Sequence, residues 1–254
     1  MSGPEASGTH PKPGTVISRE MVDTLPDPAA RYLSHAGVVG RPIVGRVSLR
    51  QTGRIRSSSD KPWIPITAEE TYTVDPPGFN WIGAVRLLGV PVISPHDAYV
   101  DGRGRMRVTL AHIIKLWDLA GDEMDQGSLM RYLNEMVWFP TAFLGANVTW
   151  SAIDERSAGV AITDHGRTAA ATMSFDELGR PTDFVAPRYR HLGKGRFSSE
   201  QWATPFTDHG EFGGLQIPVA GRAEWRLTSG ALVYAQLRLT SVEYDARAQA
   251  GTTR

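Results

Sequence analysis

The chain has 254 residues, of which 41% are hydrophobic and 21% charged, enough apolar material for one large core or two small ones. Its 27 basic and 27 acidic side chains cancel, which argues against generic binding to a nucleic-acid backbone. It contains no cysteine, so disulfides, zinc–thiolate sites, iron–sulfur clusters and a cysteine nucleophile are excluded together.

Met1 to Thr15 is rich in Gly, Pro and Ser and lacks the apolar stretch of a signal peptide. No apolar run reaches the length of about 18 residues that a membrane span needs. These features predict a cytoplasmic protein. Residues 1–16 and 246–254 read as disordered tails, because they are polar and lack periodicity, and 17–245 as a single β-rich domain.

The first ordered element reads as a helix from Leu25 to Leu33, with Asp27 able to cap, Pro28 in the first turn and Gly37 at the stop. The period then changes to two. Val47, Leu49 and Gln51 share one face of a strand, Ala68–Val74 and Phe79–Ile82 follow, and a fourth strand runs from Pro91 to Val100. Asp101-Gly102-Arg103-Gly104 is a hairpin signal leading into Met106, Val108 and Leu110 at alternate positions.

One helix interrupts this pattern at Ser128–Leu144, with Ser128 as its N-cap and Pro140 as its end or kink. Leu129, Tyr132, Leu133, Met136, Val137 and Phe139 form a wide apolar arc, and Arg131, Asn134, Glu135 and Trp138 fill the remaining stripe. Arg131 precedes Glu135 at i,i+4, the weaker order for a surface pair, and Trp138 is an unusual solvent-facing residue. An amphipathic surface helix with an ion pair and a helix walling a cavity both fit the stripe. Trp138 speaks for the cavity.

After the helix the alternation resumes in Val148, Trp150 and Ala152 and in Ala169, Ala171, Met173 and Phe175. Further strands read at Thr182–Arg188, Ala223–Leu227 and Ala231–Tyr244. The chain is predicted to be mainly β, a large curved antiparallel sheet or open barrel of roughly ten to twelve strands. An N-terminal helix and one central helix covering the concave side complete it.

Arg131-Tyr132-Leu133, Glu135, Trp138-Phe139-Pro140 and Leu144 resemble the signature of an uncharacterised family of bacterial proteins, known mostly as conserved hypothetical. Arg31-Tyr32-Leu33 with Gly37, and Phe175-Asp176 with Gly179, are similar to that family too, so the resemblance covers residues 25–244. It implies a common fold and no agreed activity. The element order is also similar to the lipoprotein-carrier architecture, a curved antiparallel sheet whose concave side is plugged by helices. That second resemblance is one of architecture, since the export signal of the carriers is not found.

Seven histidines occur without ligand spacing, and the two Asp-His-Gly triplets, at 164–166 and 208–210, read as hairpin turns with an exposed histidine. No metal and no cofactor is therefore expected. No Gly-x-Ser-x-Gly elbow occurs, and the short glycine pairs at 102–104 and 193–195 precede no helix. Arg188 to Arg196 is the one basic cluster, a solvated loop or the holder of a ligand's anionic group.

Seven tryptophans are many for this length, and those rimming a concave sheet would suit an apolar ligand. The leading reading is binding of a hydrophobic or amphipathic small molecule between sheet and helix, through Trp138, Trp81, Asp97, Tyr99, Arg188, Trp202 and Trp225. The second is a cofactor-free isomerase, cyclase or hydrolase acting on an apolar metabolite. There Glu135 would be general acid or base, Asp97 or Asp101 a second carboxylate, and Arg131 or Arg188 the holder of an oxyanion. Of these, the pairing of Glu135 with Arg131 is preferred for the charges. A third, an interaction scaffold, predicts a large exposed apolar patch.

Overall fold

The computed structural model describes residues 11–87, 90–111, 113–193 and 195–246. Of the tails expected from composition, residues 1–10 and 247–254 lie outside that range. Gly14 and Val16 pair with the chain at Ile43 and Pro42.

Two helices come first, α1 (Arg19–Asp23) and α2 (Asp27–Ala36). Gly37 ends α2 in the left-handed conformation, φ 76°, which glycine adopts without strain. Six strands follow as a meander: β1 (Arg46–Ile55), β2 (Ile64–Thr73), β3 (Gly78–Leu87), β4 (Val90–Val100), β5 (Arg103–Leu110) and β6 (Ile114–Ala120). Helix α3 (Asp122–Glu135) comes next, then two 3-10 turns at Met136–Trp138 and Pro140–Leu144. The second half is β7 (Val148–Asp154), β8 (Ser157–Asp164), β9 (Arg167–Phe175), β10 (Pro181–His191), β11 (Phe197–Ala203), β12 (Phe206–Phe212), β13 (Leu215–Leu227) and β14 (Gly230–Asp245).

Among the described residues, fourteen strands form one antiparallel sheet in the order β6-β5-β4-β3-β2-β1-β14-β13-β11-β10-β9-β8-β7, with β12 paired to β13. The two halves join at β1 and β14, so β6 and β7 are the outer edges of a curved half-barrel. The chain must return from one edge to the other between β6 and β7, and α3 makes that crossing. It therefore lies on the concave side and touches β4, β5 and β6 of one half and β8, β9 and β10 of the other. The expected β architecture with a helix on its concave side is found, with more strands than the ten to twelve read from the pattern.

The strands not read from the sequence are β6, β8, β11 and β12, of which β8 does alternate, with Ala158, Val160 and Ile162 buried. β6 is an edge with most of both faces exposed, and β8 is built largely of small residues. Asp208-His209-Gly210 forms the middle of β12 rather than a hairpin turn, and His209 is half-buried with its ring nitrogen on the Pro181 carbonyl at 2.9 Å. The triplet Asp164-His165-Gly166 does make the β8–β9 turn, with φ positive at His165 and Gly166.

At one rim the two halves meet. The Tyr99 hydroxyl of β4 donates to Asp164 at 2.7 Å, and Gly102 in the β4–β5 turn packs directly on His165. Above this closed rim α3 is locked in. Tyr72, Phe79, Tyr132 and Phe139 interlock with ring centroids 4.7–6.4 Å apart, filling the space between helix and sheet.

The central helix begins six residues earlier than its expected cap at Ser128, which sits buried in mid-helix. Asp122, Glu123 and Asp125 occupy the first turn, where negative charge complements the helix dipole. Asp125 is buried and accepts from the Gly104 amide at 2.8 Å and from Arg103 at 3.0 Å, tying α3 to β5. The α-helix ends at Glu135, so Trp138 falls in a 3-10 turn and leaves the stripe it was expected to share with Arg131.

Gly104 is where helix and sheet approach most closely. A Cβ there would come within 2.5 Å of Ser128 Oγ and closer still to the Met124 carbonyl oxygen. Gly104→Ala is expected to cost about 1–3 kcal/mol through forced separation of α3 from β5, read as a lowered urea midpoint at unchanged slope.

Candidate functional site

The inward residues of neighbouring strands line up in rows, because each antiparallel register places Cβ atoms within about 5 Å of one another. One row runs Leu49, Glu70, Trp81, Asp97 and Met106 across β1 to β5. Two of its five members are carboxylates, and Glu70 is fully enclosed. Arg131 reaches down from α3 onto this row.

Its guanidinium meets three carboxylates, one per nitrogen. Nη2 donates to Glu70 at 2.9 Å, Nη1 to Asp97 at 2.8 Å, and Nε to Glu135 one helical turn away at 2.9 Å. The rings of Phe79 and Trp81 lie 4.9 and 5.1 Å from the guanidinium carbon. The Arg131 side chain is 14% exposed and those of Glu70, Asp97 and Glu135 between 0% and 8%, so this is a buried cluster and not a surface pair. The planar donor fork of arginine suits it to such multiple pairing.

An outer ring of polar groups completes the cluster. The Tyr72 hydroxyl donates to the second oxygen of Glu135 at 3.1 Å. Trp81 donates through its indole nitrogen to Gln51 at 3.2 Å, and Gln51 stands 3.5 Å from the second oxygen of Glu70. Asp97 Oδ1 is buried and has no hydrogen-bond partner among the described residues. Three acids face one base, and burial disfavours the charged form of Glu70 and of Glu135. Burial raises the Glu70 carboxyl well above its ordinary 4.5, against the pull of Arg131, and raises Glu135 in the same direction. Burial opposes the charge of Arg131, but Glu135, Glu70 and Asp97 outweigh it and hold the guanidinium protonated.

A second group lies on the other half of the sheet, along the same helix. Arg188 of β10 donates to the carbonyl of Gly127, one turn before Arg131, at 3.1 Å, and lies 4.5 Å over the Trp202 ring. The Trp202 indole donates to the Tyr234 hydroxyl at 2.8 Å, and Trp225 stacks on Tyr234 at 6.1 Å. Arg188 also borders a polar groove of about 400 Å³ beside the first turns of α3, with Asp122, Glu123, Arg167 and Tyr189.

Of the residues singled out from the sequence, Arg131, Glu135, Asp97 and Trp81 thus come together in one cluster, and Arg188, Trp202 and Trp225 in another. Tyr99 points along the same face as Asp97, but its hydroxyl is committed to Asp164 and braces the closed rim. Trp138 packs on the core, its carbonyl accepting from Tyr244 at 2.7 Å. Asp101 is exposed in the β4–β5 turn. Sequence reasoning missed Glu70, Tyr72 and Gln51. The signal was present: Glu70 stands between Ala68 and Tyr72 on the buried face of an alternating strand, and Gln51 continues Val47 and Leu49.

Beyond the cluster, toward the opposite rim, the concave face becomes apolar. Leu237, Gly53 and Ile66 form one row and Val85, Ile93 and Leu110 another. Gly83 has no room for a Cβ, which would strike Trp81, Pro95 and Ile66, so the Trp81 ring lies along the sheet. Ile55, Ile93, Leu110, Leu237, Trp225 and Tyr234 all keep part of their surface in solvent. The cluster is thus a polar floor between a filled closed half and an open apolar half.

Fold and site define a helix-plugged antiparallel half-barrel with a buried arginine–carboxylate cluster. The chain belongs to a family of unknown function (DUF6544), whose model matches residues 15–237. No curated protein matches it. Among solved structures it is similar to a LolA superfamily protein from Nitrosomonas europaea, at 10% identity over 90% of this chain and 94% of that one, TM-score 0.45. It is also similar to a DUF1329 family protein from Desulfovibrio piger, at 11% identity over 94% and 96%, TM-score 0.42.

Removing Arg131 leaves its carboxylates buried without a cation. Arg131→Met is expected to destabilise by about 3–5 kcal/mol, whereas Glu135→Gln keeps one oxygen to accept from Arg131 and turns its amide NH2 toward the Tyr72 hydroxyl, which can accept in turn, and should cost about 1 kcal/mol; both are read from chemical denaturation. The raised carboxyls also set a pH dependence. A folded-state pKa above the unfolded one contributes stability below the ordinary value of 4.5, and that stability is lost as pH rises through the raised value. Melting temperature should therefore fall as pH rises above the ordinary carboxyl range, and Glu70→Gln should flatten that slope.

Proposed function

We propose that the protein binds an amphipathic small molecule in the open half of the half-barrel. Its apolar body would lie against Ile66, Ile93 and Leu237, and its polar end would meet the cluster at Asp97. The observation that carries this reading is the buried, unpartnered Asp97 Oδ1 in a cluster that floors a concave apolar surface. An unsatisfied buried carboxylate oxygen costs free energy, and a donor on a ligand removes that cost. The polar end is therefore a hydrogen-bond donor, a hydroxyl or an ammonium. The guanidinium of Arg131 already has a carboxylate at each nitrogen, which argues against a carboxylate or phosphate at this position.

A second reading, a cofactor-free isomerase, cyclase or hydrolase using the same space, draws on the raised carboxyls of Glu70 and Glu135. Both oxygens of Glu135 are held, by Arg131 and Tyr72, which suits a fixed partner better than a proton carrier. The enzyme reading requires that Glu135→Gln abolish turnover while the fold persists.

Native mass spectrometry of the purified protein should show a retained apolar adduct, or uptake of a long-chain alcohol or amine. Leu237→Trp, which fills the open half, should abolish it at unchanged helix and strand content. Uptake of neither probe, and no adduct, would sink the binding reading.

A further inference from the structure

We infer that the rim formed by the β3–β4 and β5–β6 hairpins docks on an anionic lipid surface. The two hairpin ends lie side by side, since the Ala111 amide donates to the Val92 carbonyl at 2.8 Å. Together they present Val90, Leu110, Ile113, Ile114, Leu116 and Trp117 to solvent. Ile113 is 86% exposed, Val90 61%, Ile114 55% and Trp117 55%. Single exposed apolar residues need no explanation, but six gathered on two adjacent hairpins at the edge of a sheet do.

The charge around them selects the occupant. Residues 82–96 and 106–117 contain Arg86, Arg107 and Lys115 and no acidic residue. Arg103 and Arg105 continue the basic face of β5 away from the rim, and Asp118 is the acid that pairs with Arg105, Arg107 and Lys115. A second copy of this chain would bring cations against cations at its own rim. A bilayer with anionic headgroups offers apolar depth for Ile113, Ile114 and Leu116, an interface for the amphipathic Trp117 ring, and negative charge for the flanking bases. Among the described residues no helix is long and apolar enough to cross a membrane. The contact uses residues outside the Arg131 cluster and stands or falls apart from the ligand reading.

Co-sedimentation of the full chain with vesicles tests it. The protein should pellet with equimolar phosphatidylglycerol and phosphatidylcholine, pellet much less with phosphatidylcholine alone, and be released by added salt. The double variant Ile113→Asp, Trp117→Asp should lose about tenfold or more of this partitioning at an unchanged melting temperature. Arg107→Glu with Lys115→Glu should remove the preference for the anionic lipid. Absence of wild-type binding to either vesicle overturns the inference, as does binding that both variants retain. It is overturned equally if sedimentation equilibrium shows a dimer that Ile113→Asp splits and vesicles do not bind, which would give the rim to a second copy.

Discussion

The structure turns on one guanidinium holding three carboxylates together. Arg131 projects from a helix that touches the sheet from the inside, and its acceptors come from β2, β4 and the helix itself. Desolvating four ionisable groups is expensive, and Coulomb attraction offsets that cost only while all the partners remain. The helix is therefore held to one position and one rotation within the half-barrel, beyond what its apolar contacts require.

That constraint orders the rest. The connection from β6 to β7 has to cross between the outer edges of the sheet, and a helix is the element that carries it with its own hydrogen bonds satisfied. Asp125 fixes the first turns to β5, Arg131 fixes the middle to β2 and β4, and Asn134 donates to Thr204 at 2.6 Å on the other half. The aromatic packing of Tyr72, Tyr132 and Phe139 then fills one end and leaves the other end apolar and open. The part-exposed apolar rows beside the cluster and the exposed apolar rim at Val90, Ile113, Ile114 and Trp117 both lie outside the surface that the plug covers.

Much of this was legible in the residues. Alternation in Val47, Leu49 and Gln51 and in Met106, Val108 and Leu110 marks strands, because a half-buried sheet repeats every two residues. The apolar arc of Tyr132, Leu133 and Met136 marks a helix. The pairing of Arg131 with Glu135 followed from their i,i+4 spacing. The start of that helix was not legible, because its true N-cap, Gly121, carries no capping side chain and Ser128 mimics one. Trp138 was misplaced because periodicity assumes that the α-helix continues, and it stops at Glu135.

By itself, the sequence determined the mainly β class, the single central helix and the Arg131–Glu135 pair, because these depend on spacings of two, three and four residues. Only the tertiary structure decided that Glu70 and Asp97 join them, since those residues are 27 apart in the chain and meet through the register of β2, β3 and β4. Register is a property of strands paired by backbone hydrogen bonds, and no local pattern states which rows will coincide. The same holds for the exposed rim, where Ile113 and Val90 look like ordinary strand-end residues until the two hairpins are set side by side.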